Sequence, residues 1–226
     1  MKLKLLLDVA PRVYPFSYPQ SLSRQVYDRM PSYERHDRLS IHSVGWVQAP
    51  VDATRRGLVF SEPAHLGIGM AHEAPLREFL ESLEEDPELI GGMTVTDVQP
   101  IQPPGGGEVR YWAESPVLVR DGDRHVRYDA DDAPKHLTRT ARQKLDAAGL
   151  PEAIAEQVSV RFDNRYEKSK TKVVSTGTAE FMGNFCPVLI DAPAPLVHET
   201  LMSTGIGGLT GMGFGAITPR PASIPD

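Results

Sequence analysis

A single cysteine, Cys186, stands among 226 residues. One thiol excludes a disulfide framework and any cysteine-clustered zinc or iron–sulfur centre. Its neighbours Phe185, Val188 and Leu189 are apolar, which reads as a small buried residue rather than a nucleophile. No apolar run approaches the roughly 18 residues that a membrane span needs. The opening Met1–Asp8 is too short, and too soon broken by charge, for a signal peptide. A reduced, cytoplasmic setting with no membrane partner is the expectation. No His-Glu-x-x-His or other paired ligand spacing occurs, so His65, His72, His125, His136 and His198 read as single structural residues. Neither metal nor cofactor is expected.

Turn-forming residues are plentiful. Twenty prolines and 19 glycines argue for many turns and against a bundle of long helices. The net charge is −6, but it is unevenly spread: residues 1–60 carry nine basic and five acidic groups, and residues 61–100 one basic and nine acidic. Exposed charges farther apart than a Debye length are largely screened, so a polyanion senses the local patch. One such patch is Arg161, Arg165, Lys168, Lys170 and Lys172, interleaved with Phe162 and Tyr166. Basic charge for a backbone and aromatic faces for splayed bases are what single-stranded RNA uses. A solvated hairpin is the alternative. Arg139, Arg142 and Lys144, flanked by Asp131, Asp132 and Asp146, read as the exposed side of a helix and a poor polyanion site.

Periodicity gives the element order. Lys2–Val9 alternates as a half-buried strand, residues 19–30 form a helix closed by Pro31, and strands follow at Leu39–Val47, Arg56–Ser61 and His65–His72. Pro75–Leu83 is an amphipathic helix with an acidic outer face, and Met93–Ile101 a strand. After Gln102–Gly107, a Pro/Gly linker, the order begins again. Strands are expected at Val109–Val119 and His125–Tyr128, a helix at Pro134–Ala148, then a strand at Val158–Phe162. A long hairpin over Lys172–Ile190, a helix at Ala194–Thr204 and a strand at Met212–Thr218 complete it. The fold class is α+β: two tandem ferredoxin-like (RRM-like) βαββαβ domains over residues 1–101 and 108–226, joined by 102–107.

Gly205–Gly215 is the most unusual stretch, with six glycines in eleven residues. It is no Walker loop, since no Lys-Ser/Thr follows, and no dinucleotide fingerprint, since it follows a helix. Flexible linkers use Ser and polar residues, whereas Ile, Leu, Met and Phe alternate with these glycines. Gly205-Ile206-Gly207, five residues, then Gly213-Phe214-Gly215 resembles the signature of the CRISPR-associated repeat endoribonucleases, of the repeat-associated mysterious protein superfamily. The resemblance extends to Tyr18–Tyr27, Glu114–Val119 and Thr178–Phe185.

That resemblance implies cleavage of precursor CRISPR repeat RNA without metal, leaving a 2′,3′-cyclic phosphate and a 5′-hydroxyl. It implies RNA contacts at Gly205, Gly207, Gly213, Phe214 and Gly215, and at the basic run before the last hairpin. A histidine near the first helix carries the proton work in the family. His42, within Leu39–Gly45, matches that position, with His36 the alternative. Tyr27 matches a helper tyrosine, and Arg56, in the Arg55-Arg56 pair, stands where a charge-stabilising residue is expected. A non-catalytic RNA-binding subunit and a protein–protein scaffold remain open alternatives. As partners, other CRISPR-associated proteins of an effector complex and a second copy of the chain also stay open.

Overall fold

The computed structural model describes residues 1–33, 39–176 and 179–219. In β1 (Lys2–Val9), Leu3, Leu5, Leu7 and Val9 alternate inward, and they define the first core. The strand order around it follows from the elements α1 (Tyr18–Asp28), β2 (His42–Val44), β3 (Val51–Ala53), β4 (Leu58–Phe60), β5 (Ala64–Met70), α2 (Glu73–Glu85) and β6 (Met93–Ile101). The sheet runs β2-β5-β1-β6, antiparallel throughout, and β3-β4 is a side hairpin. Leu22 and Val26 of α1 and Leu76, Phe79 and Leu83 of α2 cover one face of it.

The second half repeats this with β7 (Gly107–Ala113), β8 (Val117–Leu118), β9 (Arg120–Asp121), β10 (Arg124–His125), α3 (Ala133–Ala147), α4 (Glu152–Ala155), β11 (Ser159–Phe162), β12 (Lys170–Ser175), β13 (Glu180–Phe185), β14 (Val188–Ala192), α5 (Pro195–Thr204) and β15 (Ile217–Pro219). Its main sheet is β11-β14-β7-β15. That order matches the first half strand for strand, so both halves are ferredoxin-like. Residues 102–106 run between the two sheets.

Several expected elements differ, three of them around the junction of the halves. The strand expected over Val109–Val119 breaks at Glu114–Pro116, where Pro116 lacks a donor and Glu114 turns toward the first half; β8 then pairs with β13 instead. The hairpin over Lys172–Ile190 divides between two sheets, β12-β13-β8 and the main one. The last strand shortens to β15, because Thr210–Met212 is a 3₁₀ turn and Gly213 and Gly215 have positive φ.

The halves meet on the face of the first sheet opposite its helices. In β5, Leu66, Ile68 and Met70 enter the first core, so Gly67 and Gly69 face the other way. Their bareness is required: a Cβ on Gly67 would overlap the Glu114 carboxylate, and one on Gly69 the Ser203 backbone. Glu114 Oε2 lies 2.8 Å from Lys2 Nζ, with both side chains buried. The Glu114 carbonyl accepts from Trp46 N at 3.1 Å and Gln48 Nε2 at 2.8 Å. Ser43 Oγ donates to the Ser203 carbonyl, and Trp46 Nε1 to that of Gly213 at 2.7 Å.

Removing one member of a buried ion pair strands the other charge, at a cost of about 3–5 kcal/mol, whereas apolar replacement of both is often neutral. Glu114→Ala is therefore expected to lower unfolding free energy by about that amount in urea titrations. The double variant Lys2→Met/Glu114→Met should recover most of it. Equal losses in both variants would contradict this account of the pair.

Candidate functional site

His42 opens β2, opposite Met70 at the end of β5. It shares the helix-side face with Val44, so its imidazole lies against α1 rather than between the sheets. The Tyr33 ring meets it edge-on, with centroids 4.7 Å apart and planes at 83°. Tyr33 is fixed in turn by its hydroxyl, which accepts from Ile41 N at 3.3 Å, and by its carbonyl, which accepts from the Tyr27 hydroxyl at 3.2 Å. His42 and Tyr27 thus line one pocket of about 680 Å³, along with Ser23, Arg24, Ser40 and Lys144.

The glycine segment roofs this pocket. Ile206 and Phe214 are fully buried, Ile206 in the second core and Phe214 against Leu118 and Phe181. Gly205, Gly207, Gly213 and Gly215 have φ of 72°, 78°, 83° and 61°, a region closed to most side chains. Ile206 N donates to the Gly215 carbonyl at 2.8 Å, tying the two Gly-hydrophobic-Gly triplets together as the legs of a loop. The five residues between them, Gly208–Met212, pass over His42: a Cβ on Gly211 would come within 2.6 Å of its Cε1 and Nε2. Of the loop residues for which the resemblance implies RNA contact, Gly205, Gly207, Gly213, Phe214 and Gly215 are all buried, with Gly207 bordering the pocket, and the more accessible part of the loop is Gly208, Leu209, Gly211 and Met212.

Lys144 departs from the sequence expectation. It is not on the solvated side of α3 but fully buried, with Nζ donating to the Thr204 carbonyl at 2.7 Å and to Thr210 Oγ1 at 2.8 Å. The periodicity contained this: Lys144 falls seven residues after Leu137 and three after Ala141, on the apolar stripe. Tyr33, Gly211 and Glu114 left no comparable mark in the sequence, since their roles arise from contacts across long sequence separation.

His42 is 4% exposed, and among the described residues neither ring nitrogen has a hydrogen-bond partner. Burial, reinforced by the nearby Lys144 charge, lowers its pKa to about 4. Burial also holds the Lys144 amine well below the usual lysine range.

Arg56 does not reach this pocket. It is exposed in the β3–β4 turn, after the bridge that pairs Gln48 with His65 near the start of β5. His42 pairs with Met70 at the other end of that strand, and Arg56 is not in the pocket lining. His36 lies outside the described residues. The basic run divides. Arg161, Arg165 and Lys168 line a larger cleft, of about 1170 Å³, on the sheet side, with Arg110, Trp112 and Tyr166. There the Arg110 guanidinium stands 5.2 Å from the Trp112 ring and 5.6 Å from that of Tyr166, and pairs with Asp163 at 2.8 Å. Arg161 pairs with Glu108. Lys170 and Lys172 are exposed on β12, outside the cleft lining. Asp121, Asp132 and His136 bring ligand atoms within 4.8 Å of one another, but Arg124 pairs with both carboxylates and supplies the counter-charge. Among the described residues no helix is long and apolar enough to cross a membrane.

The fold of two ferredoxin-like units is shared with solved CRISPR-associated proteins. A Cas6-related protein from Pyrococcus furiosus aligns over 99% of both chains, with a TM-score of 0.80 and 16% identity. A RAMP protein binding different RNA substrates covers 98% of this chain and 100% of its own, at a TM-score of 0.77 and 17% identity. A Cas6 product complex covers 97% and 98%, at 0.56 and 16%. No family model matches the chain. No curated protein matches it either.

The lowered His42 pKa has a sign for stability. Unfolded, the imidazole titrates near 6.5; folded, near 4. The unfolded chain thus binds the extra proton, and stability present above pH 6.5 is lost as pH falls toward 4, by about 3 kcal/mol. Wild-type protein is expected to lose that much more than His42→Gln between pH 7 and pH 4 in urea unfolding. Parallel losses would place the histidine in water.

Proposed function

We propose that the chain is a metal-independent endoribonuclease that cuts CRISPR repeat RNA to mature guide RNA, leaving a 2′,3′-cyclic phosphate and a 5′-hydroxyl. The observation that carries this is the His42 imidazole: buried, with its pKa lowered to about 4, both nitrogens unbonded among the described residues, in a pocket it shares with Tyr27. A neutral imidazole is the form that accepts a proton. It takes the proton of the ribose 2′-OH as O2′ bonds to phosphorus and the bond from phosphorus to O5′ breaks; O5′ takes a proton from the Tyr27 hydroxyl. The phosphate's own negative charge favours imidazolium, which draws the pKa of His42 upward toward the working range as substrate binds.

The fold supports this reading, as do the neighbours described as binding RNA and as a product complex. The sheet-side cleft supplies the second part: Arg161, Arg165 and Lys168 for the RNA backbone, Trp112 and Tyr166 for bases. A non-catalytic RNA binder is the second reading. It is favoured by how tightly Gly211 covers the imidazole.

A 3′-labelled repeat RNA incubated with the protein in EDTA separates the two: one cut supports the nuclease, and retardation without a cut the binder. No affinity for RNA supports neither and points to a scaffold. His42→Ala is expected to reduce cleavage about 10²–10⁴-fold, with binding retained. Changing Arg161, Arg165 and Lys168 together to Ala should flatten the dependence of log affinity on log salt by up to about two, at roughly 0.7 per phosphate contact. The same change at Lys135, Arg139 and Arg142 of α3 should do much less. Equal flattening by both triple variants would leave the cleft without a special role.

A further inference from the structure

The chain buries two lysines and treats them differently. Lys2 is matched by the Glu114 carboxylate at 2.8 Å. Lys144 is as deeply buried, yet its amine meets only two neutral oxygens, the Thr204 carbonyl and Thr210 Oγ1. Among the described residues no carboxylate lies within ion-pair distance of it. Buried charges are ordinarily paired, because the low-dielectric interior penalises a lone one. The third amine hydrogen remains uncommitted, and the amine borders the pocket that also holds His42. That pocket thus contains an unpaired amine and an unpaired imidazole, both biased toward neutrality by burial. One anion placed between them supplies what both lack.

We propose that Lys144 is the cation that receives the scissile phosphate, so that the site is assembled from both halves of the chain: the imidazole from β2 and the charge from α3. This fills the role that the resemblance offers to Arg56, which does not line the pocket. Among the described residues the other cation on the pocket is Arg24. Its side chain is 81% exposed and shared with Asp28 at 3.8 Å, so water screens it. Thr210 ties the amine to the histidine's own segment: its Oγ1 accepts from Lys144 and lies 3.4 Å from the Ser40 carbonyl. The phosphate contact is independent of RNA cleavage; the catalytic role of Lys144 rests on the nuclease reading above.

The test follows the His42 ring and the Lys144 side chain by NMR in RNA-free protein titrated with inorganic phosphate. Among the described residues, the titratable and charged groups around the ring are Tyr27, Tyr33, Arg24 and Lys144. In wild-type protein phosphate is expected to raise the His42 pKa from about 4 by about one pH unit or more and to move the Lys144 Cε signal. Wild-type signals that phosphate leaves unmoved overturn the proposal, without need of any variant. In Lys144→Met the phosphate effect should vanish, and the His42 pKa without phosphate should rise, because a like charge has gone. Arg24→Ala should keep the effect. A phosphate response in Lys144→Met equal to wild type overturns the proposal. In the RNA arm, Lys144→Met should slow cleavage at least about 100-fold while changing the Kd of a 2′-deoxy, uncleavable repeat less than about tenfold. If the wild-type protein fails to cut repeat RNA, the nuclease reading falls, and the phosphate titration still decides whether Lys144 is an anion site.

Discussion

The close approach of Glu114 and of helix α5 to the first sheet over Gly67 and Gly69 is the constraint on which the rest depends. A ferredoxin-like unit covers one sheet face with its own helices and leaves the other to be covered. Here the uncovered face lacks side chains at the contact, and the Glu114 carboxylate occupies the space and meets Lys2. Because the charge is buried and directional, it fixes register as well as distance. The backbone contacts from Trp46, Gln48 and Ser43 then have only one arrangement to adopt.

That register places α5 against the first half, with Ser203 over Gly69, and delivers the glycine loop to His42. The loop's rigidity comes from its legs. Two buried apolar residues and four left-handed glycines hold it, so the span between them is presented rather than floppy. Leu209, at φ 56°, is the non-glycine residue within that span forced into the same region. Positive charge, imidazole and phenol meet in one hollow, while the aromatic and basic residues of the cleft lie on the opposite side of the sheets.

Much of this was legible from residue order. The alternation in β1, the apolar stripe of α2 and the Pro/Gly linker needed only local physics, and they came out at nearly the right residues. His42 and Tyr27 stand out through a resemblance, and they line one pocket. For Arg56, a basic pair in a turn carries no information about which pocket it borders. At the glycines, composition reveals positive φ and close approach, not whether the approaching atoms belong to RNA or to the chain itself. Lys144 is the instructive case. Its position on an apolar stripe was visible, but charge argued for solvent, and only the acceptors on Thr204 and Thr210 resolve that conflict. The break at Glu114–Pro116 needed knowledge of the other half.

The structural repeat gives the loop a further meaning. In each half the segment before the last sheet strand carries left-handed glycines: Gly91 and Gly92 in the first, Gly205 to Gly215 in the second. The first segment spans 86–92 and the second 205–216, so the two equivalent connections differ chiefly in length. Doubling a loop adds only about 0.6 kcal/mol of closure cost. A repeat that is otherwise symmetric can therefore acquire an asymmetric pocket through a handful of inserted residues, with both sheets and both cores left as they were.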